Sequence, residues 1–132
     1  MKPATATCLV RIGASVGLSA LAGLVGAFLV WNFIYSIGAK VVTDDTYARL
    51  QSPVAWSGCG AGLLVALITV GVRRRAAFGT LAGGHAFAIL GGFVGGSYSW
   101  EAGLWTYFGA LGAFVLLMIW RGMFDYERTQ VC

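Results

Sequence analysis

A long stretch without charged side chains is the feature that most constrains this chain. No Asp, Glu, Lys or Arg occurs from Ile12 to Ala39. A helix needs about 20 mostly apolar residues to cross the hydrocarbon layer of a bilayer. The stretch is also too long for the apolar core of a signal peptide, which has about 7–15 residues. We therefore predict a membrane-spanning helix that is retained in the protein.

Three further apolar runs follow, and short polar segments separate them. We predict spans at about 12–37, 54–72, 77–98 and 102–120, so that residues 1–132 form one all-α membrane domain of four helices. Charged residues make up only 11% of the chain, whereas soluble domains carry about 25%. The polar segment 40–53 is predicted to be the longest loop. Pro53 then suits the first turn of the second helix, where its missing N–H costs nothing.

Basic residues are distributed unevenly between the two sides of such a bundle. With four spans, both termini and the second loop share one side, which holds seven Lys and Arg residues against two on the other. Short loops rich in Lys and Arg stay inside. We therefore predict that both termini face the inside. The seven are Lys2, Arg11, Arg73, Arg74, Arg75, Arg121 and Arg128, and the two are Lys40 and Arg49.

Aromatic residues lie near the predicted span ends. Trp and Tyr favour the headgroup region on both sides of a bilayer. We predict an outer aromatic belt and a smaller inner one. The outer belt comprises Trp31, Tyr35, Trp56, Tyr98, Trp100, Trp105 and Tyr107, and the inner belt Trp120 and Tyr126.

Small residues recur at intervals of four in every predicted span. Because lipid is as apolar as Leu, membrane helices associate through close packing, which small residues permit. We predict helix-packing contacts at Gly58, Gly62, Gly84, Ala88, Gly92 and Gly96. For the first two spans, packing within the chain is the simpler interpretation. The third span carries adjacent glycines, which favours contact with more than one helix, including one from another chain.

His85 is the only histidine and lies in the third predicted span. An ionisable residue inside a membrane suggests a functional site. His85 could ligate a b-type haem or hydrogen-bond a quinone. However, a bis-histidine haem requires a second histidine from a partner chain. The plainer alternative is a neutral His85 bonded to a backbone carbonyl or to a neighbouring helix.

The remaining polar residues show no catalytic pattern. No acidic or basic residue falls well inside a predicted span, which argues against a self-contained pump or ion exchanger. The three cysteines, Cys8, Cys59 and Cys132, show neither metal-binding spacing nor a disulfide framework. We therefore expect no enzyme activity from this chain alone, no resident cofactor and no metal. A chain of this kind is not expected to bind nucleic acid.

Three consecutive arginines, Arg73, Arg74 and Arg75, follow the second predicted span. They could bind anionic headgroups such as cardiolipin. Alternatively, they only set the topology of the chain.

The segment from Trp56 to Gly103 resembles the mitochondrial inner-membrane preprotein translocase (Tim) family. Within that family it is most similar to the translocase-like accessory membrane subunit of respiratory complex I. A small-residue helix with Gly58, Cys59 and Gly62 comes first, then the basic loop at 73–75, then the glycine-rich run from Gly79 to Gly96. The resemblance implies a non-catalytic role and a basic loop that faces the mitochondrial matrix.

Together these features predict an accessory subunit of a multi-subunit inner-membrane complex, in the mitochondrial respiratory chain. Its partners would be larger membrane subunits and phospholipids such as cardiolipin. A bacterial cytoplasmic membrane is the alternative location. A haem- or quinone-binding anchor that uses His85 and a preprotein translocase or small channel component are the alternative functions.

Overall fold

The computed structural model describes residues 2–37, 42–73 and 78–124, and these form four helices. The helices are α1 (Pro3–Ile37), α2 (Asp44–Arg73), α3 (Phe78–Gly96) and α4 (Trp100–Phe124). No strand occurs in these three segments. The prediction of an all-α chain is thereby confirmed.

Three of the four helices are long and apolar enough to cross a membrane: α1, α2 and α4. Only 28%, 33% and 28% of their most apolar stretches are buried inside the bundle. Uncovered apolar surface on this scale is not tolerated in water, and it indicates a membrane protein. α3 is not among the three. Seven of its 19 residues are glycine, and His85 lies near its middle.

The helices run alternately up and down. Ser19 on α1 lies against Gly62 on α2, and Gly23 lies against Gly58, so α1 and α2 are antiparallel. α3 runs parallel to α1, since Ser19 contacts His85 near the middle of α3, and Ile34, further along α1, contacts Gly96 at the end of α3. We call the end where α1 begins and α4 ends the proximal end, and the opposite end the distal end.

Glycines allow the helices to approach one another closely. A Cβ at Gly58 would overlap both the Cβ of Ala27 and the backbone oxygen of Gly23, and a Cβ at Gly62 would overlap the backbone of Ser19. In the same way, a Cβ at Gly103 would lie 2.9 Å from the Cα of Gly96. Backbone therefore packs on backbone in both antiparallel pairs, α1 with α2 and α3 with α4. Such close packing is the main source of stability between membrane helices.

α2 begins earlier than predicted, at Asp44 instead of Val54. The prediction of a loop across 44–53 is therefore wrong, and Pro53 lies inside the helix. A cap explains the earlier start, because the N–H of Thr46 donates to Thr43 Oγ1 at 3.3 Å. Asp44 and Asp45 in the first turn are also favourable next to the helix dipole.

The first ten residues of α2 are held against the end of α1 by aromatic rings. Tyr47 stacks on Trp31 with ring centroids 6.2 Å apart and on Tyr35 at 4.0 Å. The Tyr47 hydroxyl donates to Asn32 Oδ1 at 2.6 Å. Trp100, the first residue of α4, meets the edge of Trp31 at 6.1 Å. This distal aromatic cluster (Trp31, Tyr35, Tyr47 and Trp100) supplies the tertiary contacts that stabilise a helix with proline in its interior.

Two aromatic residues are not where the belt prediction placed them. Trp31 and Tyr107 are fully buried in the core of the bundle. Trp56, Tyr98 and Trp105 are exposed, at 67%, 89% and 78% respectively. The belt prediction is therefore wrong for Trp31 and Tyr107, because proximity to a span end says nothing about the side of the helix on which a residue lies. Tyr126 lies outside the described residues.

The other predicted boundaries differ less. α1 extends nine residues before the predicted span, beginning at Pro3, and α4 begins two residues earlier than predicted.

Of the cysteines, Cys59 is free and half-buried, whereas Cys8 is disulfide-bonded. The sequence predicted no disulfide framework, and the spacing of the cysteines did not indicate the single disulfide at Cys8.

Candidate functional site at His85

A small group of polar side chains lies in the core near the proximal end. Across the described segments, the buried polar or charged residues are Ser15, Ser19, Thr69 and His85, each no more than 3% exposed. They come from three helices, α1, α2 and α3, and all lie in the proximal half of the bundle. We call them the polar cluster.

Ser19 is the centre of this polar cluster. Its Oγ lies 2.8 Å from the backbone oxygen of Gly62 on α2 and 2.9 Å from Nε2 of His85 on α3. A hydroxyl has one proton, and a backbone oxygen can only accept. Ser19 therefore donates to Gly62 and accepts a hydrogen bond from His85. One side chain on α1 thus joins three helices.

This arrangement determines the tautomer of His85. If Nε2 carries the proton that Ser19 accepts, Nδ1 of the neutral ring is unprotonated and can only accept. Nδ1 is buried and has no hydrogen-bond partner. The opposite tautomer would leave an orphaned N–H donor there, and such donors are rarer in proteins than unsatisfied acceptors. Nδ1 of His85 is therefore a buried hydrogen-bond acceptor without a partner.

A cavity of about 240 Å³ lies beside this polar cluster, between α1 and α3. His85, Ser15 and Ser19 contribute its polar lining. The rest is apolar: Leu18, Ala22, Leu81 and Ala82. Since Leu18 and Ala82 are exposed on the outside of the bundle, the cavity opens sideways between two helices and not at an end of the bundle.

A further buried hydroxyl lies at the level of Gly23, one helical turn beyond Ser19 on α1. Tyr107 on α4 donates to the backbone oxygen of Gly23 at 3.0 Å. Beyond it, toward the distal end, the core is filled by apolar and aromatic side chains such as Val30, Trp31 and Ile34. Polar groups therefore reach about half-way through the bundle and stop there.

The structure places all six predicted packing residues against helices of the same chain. Gly58 and Gly62 face α1, as described above. On α3, a Cβ at Gly84 would lie 2.8 Å from the ring of Phe114, and Cβ atoms at Gly92 and Gly96 would lie 2.8 Å from Val30 and Ile34. Ala88 is fully buried. Adjacent glycines on α3 therefore serve two neighbours inside the bundle, α1 and α4.

Other glycines point away from the bundle. On α3, Gly79 and Gly83 have nothing within 4 Å of the place where a Cβ would be, and the same is true of Gly109 and Gly112 on α4. Large exposed side chains lie on the same outer faces, among them Leu90 and Val94 on α3 and Trp105, Leu116 and Trp120 on α4. We call these two surfaces the outer glycine faces.

The three arginines lie at the limit of the described structure. Arg73 is the last residue of α2. Arg74 and Arg75 lie outside the described residues, so lipid binding at 73–75 remains a prediction. Within the described segments, no three His, Cys, Asp or Glu side chains gather closely enough to hold a metal ion.

Sequence reasoning found His85 but missed its partners. Ser15, Ser19 and Thr69 were not singled out, and Tyr107 was assigned to the membrane surface. The spacing of Ser15 and Ser19, one helical turn apart, was the available signal. It shows that both share one face of α1, but nothing in it shows that His85 faces them.

Comparisons with protein-family models, with curated proteins and with solved structures find no match to this chain. The resemblance to the translocase family therefore remains a prediction.

Proposed function

We propose that this chain is a non-catalytic accessory subunit of a multi-subunit inner-membrane complex of the mitochondrial respiratory chain, where it packs between larger membrane subunits. The observation that supports the proposal is the pair of outer glycine faces. A Cβ added at Gly79 or Gly83 on α3, or at Gly109 or Gly112 on α4, would meet no atom of the described residues within 4 Å.

A glycine on the lipid-facing surface of a helix carries a cost that close packing has to offset. A glycine in a helix interior is about 1 kcal/mol less favourable than alanine. Inside the bundle that loss is offset, because glycine lets two backbones meet. On an outer face there is no such compensation unless a helix from another chain packs there. The outer glycine faces are therefore suited to neighbouring subunits.

We further propose that all four helices span the bilayer, with both termini on the inside. α3 has 19 residues, which at about 1.5 Å per residue gives roughly 28 Å, close to the hydrocarbon thickness of about 30 Å. It packs along α1 from Ser19 to Ile34, so it occupies the same depth as a helix that is apolar enough to span. Lys2, Arg11 and Arg121 lie at the proximal end, and this end would face the matrix, or the cytoplasm in a bacterium.

Native electrophoresis after mild solubilisation tests the proposal. We expect the chain to migrate with a large assembly. Gly83→Leu and Gly109→Leu should release it, because the new side chains fill the outer glycine faces.

Gly60→Leu is the matched control. Gly60 is also open to the outside, but it is a single glycine among the bulky residues Trp56, Leu63 and Leu64. We expect this variant to remain in the assembly. Migration of the unaltered chain alone, or retention of both α3 and α4 variants, would show that the proposal is wrong.

A haem- or quinone-binding anchor at His85 is the second candidate. Nε2 of His85 is already engaged by Ser19, and the cavity of about 240 Å³ suits a single substituted ring better than a porphyrin. The geometry therefore favours a small ring over haem. The absorption spectrum of the purified complex, compared with that of His85→Ala, distinguishes the two: a haem band lost in the variant would reverse this preference.

A translocase or channel component is less well supported. A pore through this chain would need polar groups along its length. In the described core they end at Tyr107, beyond which Val30, Trp31 and Ile34 are fully buried. Any pore would therefore have to form between chains.

A further inference from the structure

We propose that the cavity between α1 and α3 holds an acyl chain of an anionic phospholipid, whose headgroup binds Arg11. The inference rests on the proposal that α3 spans the bilayer, which the labelling of introduced cysteines tests separately. It does not depend on a neighbouring subunit, because α1 and α3 of a single chain form the cavity.

Arg11 lies on the same face of α1 as the cavity. Ser15 and Leu18, which line the cavity, follow Arg11 by four and seven residues, and residues at these intervals share one side of a helix. Arg11 is exposed, and its Cα is one helical turn, about 6 Å along the axis, from that of Ser15. The guanidinium of Arg11 can therefore lie at the proximal end of the cavity.

The cavity and Arg11 together match the depth of one lipid leaflet. Arg11 lies eight residues before Ser19, and α3 begins seven residues before His85, to which Ser19 is bonded. Because α1 and α3 are parallel, Arg11 is level with the start of α3, where a spanning helix enters the hydrocarbon layer. Ala22, the lining residue of α1 farthest from Arg11, is about 16 Å further along the helix. Half of a hydrocarbon layer is about 15 Å thick.

The lining and the size of the cavity suit a single hydrocarbon chain. No acidic or basic side chain lines it, and its apolar residues are Leu18, Ala22, Leu81 and Ala82. Its volume of about 240 Å³ is smaller than one turn of an α-helix, which occupies about 400 Å³ at a diameter of 10 Å. A helix of another chain is therefore too wide to fill the cavity. An acyl chain can enter between Leu18 and Ala82, which are both exposed.

The charges at the proximal end favour a lipid with a net negative headgroup. The acidic residues of the described segments all lie at the distal end, at the starts of α2 and α4: Asp44, Asp45 and Glu101. The described residues that carry charge at the proximal end are all basic: Lys2, Arg11, Arg73 and Arg121. Basic groups near the membrane surface attract anionic lipids. A zwitterionic headgroup has no net charge and gains less from the same surface.

Native mass spectrometry of the purified chain tests the proposal. The chain is placed in nanodiscs that contain equal amounts of phosphatidylglycerol and phosphatidylcholine with identical acyl chains, and the lipids that stay bound after release are counted. We expect phosphatidylglycerol to be retained about fivefold more than phosphatidylcholine, as one basic residue near an anionic lipid implies. Equal retention of the two lipids would overturn the proposal.

Two charge variants test the assignment to Arg11. Arg11→Gln should bring the ratio of the two retained lipids close to one. Arg121→Gln is the matched control, because Arg121 is also exposed at the proximal end but lies on α4, which does not line the cavity. The control should keep the ratio of the unaltered chain. An equal loss of selectivity in both variants would show that Arg11 has no special part in binding.

A third variant, Ala82→Leu, tests the cavity itself. Ala82 is exposed, so a larger side chain there obstructs the opening without overpacking the core. We expect both lipids to be retained less, and thermal unfolding shows that the variant is folded. If it does not fold, Ala22→Leu obstructs the cavity from the side of α1. Unreduced retention by a folded variant would contradict the proposed location.

Competition with glycerol phosphate separates the chain from the headgroup. This soluble compound carries a phosphate but no acyl chain. In excess, it should leave phosphatidylglycerol bound to the unaltered chain. Displacement of the lipid would show that Arg11 binds phosphate without the cavity, and the proposal would then be wrong.

Discussion

Two glycines on the same helix, Gly58 and Gly60, show how strongly the environment determines the role of one residue type. Gly58 lies where α2 meets the backbone of α1, whereas Gly60 points into open space. An added methyl group must separate the helices at Gly58. At Gly60 it only improves the helix propensity of α2.

We expect Gly58→Ala to destabilise the bundle by about 1–3 kcal/mol, because overpacking at a backbone contact cannot be relieved by a side-chain rotation. Gly60→Ala should be neutral or stabilising by up to about 1 kcal/mol. Reversible unfolding in mixed micelles measures both free energies. Equal effects of the two substitutions would contradict the close α1–α2 contact.

At the residue scale, the sequence predicted glycine packing better than polar contacts. Spacing alone indicated that Gly58 and Gly62 share a face of α2, and the structure places both against α1. The hydrogen bond between Ser19 and His85 joins residues 66 positions apart. No periodicity within either helix could reveal it, because it depends on how α1 and α3 are rotated about their axes.

At the scale of the helices, α2 contains two parts that are held by different contacts. The part after Pro53 packs through glycine on α1. The part before it, from Asp44, is held by the distal aromatic cluster. Pro53 lacks the N–H that would bond to the backbone oxygen of Arg49, so the two parts are weakly coupled through the helix itself.

We therefore expect Tyr47→Ala to loosen residues 44–52 without affecting the rest of α2. The variant loses two stacked ring contacts and the hydrogen bond to Asn32. Hydrogen exchange measured by mass spectrometry should become faster for 44–52 and stay unchanged for 57–72.

Arg49→Ala is the control for this experiment. Its ion pair with Asp45 is short, at 2.7 Å, but both side chains are more than 70% exposed. Exposed pairs of this kind contribute roughly 0–1 kcal/mol. Exchange in this variant should resemble that of the unaltered chain. Faster exchange throughout α2 in Tyr47→Ala would show that Pro53 does not separate the two parts.

The start of α2 also shows why sequence patterns locate helix interiors better than helix ends. Polar residues from Asp44 to Pro53 predicted a loop, and proline predicted a helix start. The cap at Thr43 was a local signal for the true start. This cap alone does not hold the first turns of α2, because they also need the aromatic contacts with α1. A sequence pattern does not show those contacts.

At the scale of the whole molecule, the proposed four spans make a definite prediction of sidedness. Tyr98, in the turn between α3 and α4, and Asp45, at the start of α2, should lie on the same side of the membrane. Arg121, at the end of α4, should lie on the other. If α3 did not span, Tyr98 and Asp45 would lie on opposite sides.

An impermeant maleimide distinguishes these arrangements in sealed vesicles. Asp45→Cys, Tyr98→Cys and Arg121→Cys are each introduced into a Cys59→Ala chain, which also gives the background labelling. We expect Asp45→Cys and Tyr98→Cys to react in sealed vesicles and Arg121→Cys to react only after the vesicles are opened. In vesicles of the opposite orientation, this pattern is reversed. Any result that separates Asp45→Cys from Tyr98→Cys would contradict four spans.

The seven glycines and the histidine of α3 bear on how the chain is made. Its glycines and His85 make the transfer of α3 alone from the insertion channel into lipid unfavourable. Its glycines fit α4 closely, with Gly95 against Ala102 and Gly96 against Gly103, and only residues 97–99 separate the two helices. We therefore expect α3 to leave the insertion channel only together with α4, so that the two enter the bilayer as a hairpin. The same glycines that tighten the finished bundle make its third helix dependent on its fourth during biogenesis.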